Sequence, residues 1–269
     1  MQLPILRTLA LVAVGNAALS GRDVSGFWPD DPLFRYSASL TFLTPRDAGP
    51  LKLVAGDPLA WFDKLSKRGC VGLRLQTARM RQNKKLGHID PHVLVGLVGG
   101  GPRWLIEPVY GEHSEMWEGF DRVGDQNAPD QKIWHSAYLL VAEAEPAGRL
   151  DVDVAGVSRG LREALISIET VARGMPGAPF ADQFVAGRRA LDGQDPDPAP
   201  NFVRFTQLAP DATRLLQAVG RAWVFGGMGS WNDIAPEPAL KPAYERASKI
   251  LFATLQHAAL VIANSTYRG

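Results

Sequence analysis

At Leu150 the hydrophobic pattern of the chain changes period, and any fold it adopts has to bury both patterns against each other. From Phe34 to Ala142 the apolar residues alternate or come in short runs bounded by Gly, Pro and polar residues, which is the pattern of strands and turns. Beyond that point Val154, Val157, Leu161, Leu165 and Ile168 recur at spacings of three and four, the stripe of an amphipathic helix. A run of strands followed by a run of helices predicts an α+β protein. The expected arrangement is a mainly antiparallel sheet from residues 34–142, covered by helices from residues 151–269, in one domain over 1–269. With 269 residues, 46% of them hydrophobic, the chain can bury a sizeable core.

Local signals place the elements. Leu6 to Leu19 reads as a helix stopped at Ser20-Gly21, in preference to a buried strand. Its apolar run Leu9–Val14, after a single Arg7, imitates a secretory signal, but it is short for that role and too short to span a bilayer, so a retained structural segment is expected. Phe34, Tyr36, Ala38, Leu40 and Phe42 share one face of a first strand, and further strands are expected at 51–55, 70–76 and 133–142. Asp57-Pro58 has the form of an N-cap followed by proline at the first helical position, opening a helix that buries Leu59, Phe62 and Leu65 and stops at Gly69. Val93–Val98 and Trp104–Ile106 flank a glycine turn and read as a β-hairpin, with 111–131 as a polar acidic loop. In the helical half, Phe180, Phe184 and Leu191 mark a second helix, Asp211 is expected to cap a third, and Tyr244 through Ile262 form the stripe of the last.

Charge and cysteine content narrow the chemistry. With 29 Lys and Arg against 28 Asp and Glu there is no field to attract nucleic acid or an anionic membrane. The basic stretch from Arg74 to Lys85 has no interleaved aromatics on which bases could stack. The expected partner is a small molecule or a protein, and the tryptophan-rich loops would equally suit a homo-oligomer contact. Cys70 is the single cysteine, which excludes an intrachain disulfide and a multi-cysteine metal site, and it reads as a small buried filler. A reducing cytoplasm is then the default location, and the Asn264-Ser265-Thr266 sequon is incidental.

Three stretches carry candidate chemistry. Gly156-Val157-Ser158-Arg159-Gly160 matches the G-x-S-x-G of a nucleophile elbow, which requires a buried strand entering a strained turn. The preceding Asp151-Val152-Asp153-Val154 alternates acid and apolar, and the helical stripe runs through Val157, so Ser158 is expected in the first turns of a helix capped by Asp151 or Asp153. A hydrolase reading would use Ser158 as nucleophile, His257, the only downstream histidine, as base, and Asp233 as acid. A metal version would use His88, Asp90 and His92, which share a face if the backbone is extended and whose donors suit zinc or iron, although Gly87 and Pro91 make the segment turn-like. His113, Glu115, Glu118 and Asp121 could add ligands if their loop folded back.

The third stretch, Gly226 to Asp233, lacks the lysine and Ser/Thr ending of a P-loop, and Gly99–Gly101 lacks a G-x-G-x-x-G, so no cofactor is expected. Gly226, Gly227, Gly229, Ser230, Trp231, Asn232 and Asp233 nevertheless combine close backbone approach with an aromatic plate and polar side chains. Together with Trp104, which ends a similar Gly-Gly-x-x-x-Trp pattern, they form the expected ligand-contacting set. The sequence thus favours a protein that binds a small ligand or a partner through Gly/Trp loops without evident catalytic machinery, with a hydrolase as the alternative.

Overall fold

A helix that is apolar on every side has no face to give to water and has to be enclosed. The first helix, α1 (Leu3–Leu19), is of this kind: from Ile5 to Ala17 every residue except Leu6 is buried. In the computed structural model, which describes residues 1–46, 48–78, 91–94, 101–146, 148 and 151–269, α1 lies between a sheet on one side and helices of the second half on the other.

The sheet has six strands, β1 (Ser37–Thr44), β2 (Lys52–Ala55), β3 (Gly72–Ala78), β4 (Arg103–Tyr110), β5 (His113–Val123) and β6 (Trp134–Ala144). Their order is β2-β1-β6-β5-β4-β3, and every pairing is antiparallel except that of β1 with β6. Helix α2 (Pro58–Lys67) begins as its sequence specifies, with Asp57 Oδ1 accepting from the Ala60 amide at 2.8 Å. It presses Trp61 onto the sheet, where the indole stacks on Phe42 at 4.1 Å and meets Trp117 edge-on at 5.5 Å. After a single helical turn, α3 (Pro91–Leu94), and the last three strands come α4 (Val154–Arg173), α5 (Ala181–Leu191), α6 (Pro210–Ala222) and α7 (Lys241–Asn264). The fold is α+β, with an antiparallel-dominated sheet from the first half and helices from the second, as the change of period implies.

Four local expectations give way. The first strand starts only at Ser37, because Asp31 accepts from the Leu33 amide at 3.0 Å and draws Pro32–Phe34 into a 3₁₀ turn. Leu40 and Phe42 still face the core, while Ala38 is exposed. The hairpin expected around the glycine turn is not formed by 92–94, which are helical, and 95–100 lie outside the described residues. β4 instead turns at Gly111, where φ is +75°, and pairs with β5, so that much of the expected acidic loop is strand. The acids of β5 are paired: buried Glu115 with Arg68, buried Glu118 with Arg103, and Asp121 with Arg7. A bulge between Met116 and Trp117 interrupts the alternation that would have announced the strand. Finally, Pro210 occupies the first position of α6, so the N-cap is Ala209 and Asp211 sits inside the first turn.

β3 is an edge strand, and its outer N–H and C=O groups need partners. Two asparagine side chains supply them. Asn16 on α1 accepts from the Leu73 amide at 2.6 Å and donates to the Leu73 carbonyl at 2.9 Å. Asn264, the last residue of α7, does the same at Leu75, at 2.7 and 3.0 Å. Each carboxamide stands where a peptide group of a further strand would. Thr266 Oγ1 joins the cluster by accepting from Asn16 Nδ2 at 2.9 Å, so the polar groups of the sequon are consumed by the fold. The close approach of α1 depends on Gly15, where a Cβ would lie 2.3 Å from Leu73 Cδ1 and 2.9 Å from Phe62 Cε1. No helix among the described residues is long and apolar enough to cross a membrane.

Truncating Asn264 to alanine would leave the Leu75 N–H and C=O buried without partners, and should cost about 2–4 kcal/mol in urea denaturation. Alanine at Asn127, an exposed loop amide, should change stability by less than about 0.5 kcal/mol.

Candidate functional site

The Gly226–Asp233 stretch is a self-satisfied turn. Ser230 caps a 3₁₀ turn over Trp231–Asp233, and Asp233 Oδ2 accepts from the Gly229 and Ser230 amides at 2.5 and 3.2 Å. Asn232 Oδ1 accepts from the Gly226 amide at 3.2 Å, and its Nδ2 donates to the His92 carbonyl. Trp231 is fully enclosed: its Nε1 donates to Ser248 Oγ at 2.7 Å, Tyr244 stacks on it at 5.0 Å and Phe184 meets it edge-on at 5.3 Å. The indole therefore closes the junction of α5 and α7 and offers no plate to a ligand. Gly227 and Gly229 are exposed, Gly229 with φ of +79° as the turn requires, while Gly226 is buried beside Gln2.

The hydrolase residues are placed apart from a relay. Asp153 Oδ1 accepts from the Gly156 amide at 2.7 Å and starts α4, so Ser158 lies in regular helix rather than at an elbow. His257 is exposed on α7. Tyr244, which donates to the Trp231 carbonyl beside Asp233, precedes His257 on the same helix by thirteen residues (257 − 244). That separation is about 20 Å of helical rise. The Asp233 carboxylate is thus engaged by loop amides at the far end of α7 from His257. Of the metal set, His88 and Asp90 lie outside the described residues; His92 is buried on the helical turn α3, where the backbone is not extended. Among the described residues no group of three or more His, Cys, Asp or Glu could hold a metal ion. Cys70 is buried, and that burial pushes its thiol up to about 11, away from nucleophilic use at neutral pH.

A different part of the molecule is hollow. A cavity of about 390 Å³ opens between the first two turns of α1, the start of β4, the middle of β5, and the pair Trp223 and Phe252. From the sequence-derived ligand set it takes Trp104, and the Gly226 turn comes near it through Gln2. Its polar wall is built from ion pairs. Arg7, 2% exposed, reaches both Asp121 oxygens through Nη2 at 2.6 and 2.8 Å, and Asp121 also accepts from Ser136 Oγ at 2.6 Å. Burial by itself would weaken the Arg7 charge, but the nearby Tyr138 and Asp121 outweigh it and the pKa is raised. Thr8, one residue on, meets the Tyr138 hydroxyl at 2.9 Å. Arg103 donates from Nε to Glu118 Oε1 at 2.6 Å, and a second contact from Nη2 makes the pair bidentate. The apolar wall is aromatic, with Trp223 edge-on to Phe252 at 6.4 Å and Phe120 opposite, half exposed.

Arg7, Arg103, Trp223 and Phe252 escaped the sequence reading because they come from four separate elements. One signal was available: Arg7 is the only charged residue between Leu3 and Leu19, and a charge on a fully enclosed helix has to meet a partner. Compared with protein-family models, with characterised proteins and with solved structures, the chain gives no match.

Replacing Trp231 by alanine should cost about 3–5 kcal/mol in chemical denaturation, the penalty of a large core truncation. A loss under about 1 kcal/mol would mean that the indole is not the packing centre described here.

Proposed function

We propose that the protein binds a small, ring-containing organic molecule in the cavity at the N-terminal end of α1. The observation that carries the reading is the composition of one preformed hollow: four aromatic rings, those of Trp104, Phe120, Trp223 and Phe252, face a small number of fixed polar groups. Sites for small molecules have this make-up, with apolar surface supplying affinity and a few convergent polar groups fixing orientation. The volume of about 390 Å³ suits a one- or two-ring compound. Because Arg7 and Arg103 are held by carboxylates and Thr8 by Tyr138, the polar wall is ordered before a ligand arrives, which reduces the entropy lost on binding. Trp104 is the one residue of the ligand set expected from sequence that lines this cavity, and the Gly226 turn lies beside it. The reading assigns no catalytic step.

A thermal-shift screen of aromatic metabolites tests the reading. A ligand at a hundredfold excess over its Kd should stabilise the protein by about 2.7 kcal/mol. Trp104→Ala, at the partly exposed wall, should abolish that shift while the unliganded variant still unfolds cooperatively. A blank screen, or a ligand shift that survives in Trp104→Ala, would contradict it.

A further inference from the structure

Two side-chain donors at the wall of this cavity have no acceptor. Arg7 Nε and Trp223 Nε1 are both enclosed and make no hydrogen bond among the described residues, on residues that are 2% and 9% exposed. Buried polar groups are nearly always partnered; Trp61 Nε1, Arg188 Nε and Gln256 Nε2 also lack a partner, but Arg7 and Trp223 line one cavity together, which points to a missing acceptor there. No buried side-chain oxygen of the lining is stranded in the same way: the Glu118 carboxylate accepts from Arg103, and Thr8 Oγ1 donates to the Pro4 carbonyl at 2.8 Å. The imbalance therefore has a sign, with donors in excess. A carboxylate answers it best, since it carries two acceptor oxygens on one planar group and no donor. Its bonds to N–H donors are also stronger than those of a neutral carbonyl, more so to a guanidinium. The start of α1, which has no side-chain cap and adjoins the cavity at Gln2 and Pro4, adds the positive end of a helix dipole.

We infer that the ligand is an aromatic carboxylate, with its ring against the tryptophan and phenylalanine wall and its carboxylate accepting from Trp223 Nε1 and Arg7 Nε. Both donor atoms are covered, so binding requires the two side chains to turn toward the space they line. This inference rests on the cavity being the binding site, and it adds the charge and class of the occupant.

Titration calorimetry with cinnamate and with cinnamyl alcohol, which share a ring and linker and differ in the terminal acceptor, separates the two ideas. Cinnamate should bind at least about tenfold more tightly than the alcohol, the difference expected of charge-assisted hydrogen bonds. Trp223→Phe keeps the ring and removes the N–H, and should narrow that ratio to within about threefold. In the unaltered protein the Trp223 indole ¹H–¹⁵N resonance should move downfield with cinnamate and not with the alcohol, a readout that stands even if the variant fails to fold. Equal affinities, an unmoved Trp223 resonance, or a ratio unchanged in Trp223→Phe would overturn the carboxylate assignment and leave the cavity reading intact. If neither probe binds, the carboxylate assignment falls, and the cavity reading falls with it if the wider aromatic screen is also blank.

Discussion

The open edge of β3 is closed by two carboxamides, and the positions of the helices follow from that closure. Asn16 and Asn264 are far apart in the chain, yet their side chains occupy adjacent outward-facing positions, Leu73 and Leu75, on one strand. The ends of α1 and α7 are thereby held to the same edge and to each other through Thr266. An unpaired edge is a template for association with other chains; here its hydrogen-bonding capacity is spent inside the molecule. With its C-terminal end fixed at β3, α1 carries Arg7 nine residues back along its axis (16 − 7), where β5 presents Asp121. Nine residues are about 13 Å of rise, so the clamp at one end helps to set the position of the cavity at the other.

Arg7 and Asp121 belong to a polar layer threaded through an apolar core. The pair continues to Ser136, and Thr8 beside it is bonded to Tyr138, so β5, β6 and α1 are tied by side chains as well as by packing. A part-buried ion pair of this kind contributes little net stability, because desolvation of the enclosed Arg7 offsets much of the Coulomb attraction. Its effect here is geometric: removing Asp121 would strand the buried Arg7 charge, so sliding or turning of α1 against the sheet is penalised. The same layer forms one wall of the cavity, which links the helix's placement in the core to the chemistry available at its N-terminal end.

The coarse architecture was legible because it is written in period: the strands at β1, β2, β3 and β6, the stripes of α4 and α7, and the Asp57-Pro58 start of α2 are local patterns. β5 was hidden because its acids look solvated until Arg7, Arg68 and Arg103 arrive from other elements to neutralise them. The parallel pairing of β1 with β6 was equally out of reach, since nothing local says which distant strand is a neighbour. The Gly226–Asp233 turn shows the limit of composition. Glycines beside a tryptophan and polar side chains describe a ligand loop and a capped turn alike, and what decides between them is the complete burial of Trp231. Asn16 and Asn264 were invisible for a related reason: Asn264 reads only as part of a sequon and Asn16 as one polar residue in an apolar helix, and only the third dimension brings a strand edge against them.

Hydrogen exchange at β3 bears most directly on the edge closure. The Leu73 and Leu75 amides, which face away from β4, should exchange as slowly as amides of the central strand β5, because each is bonded to a buried asparagine oxygen. Exchange of Leu73 and Leu75 at the rate of an unprotected edge, while β5 remains protected, would contradict the account.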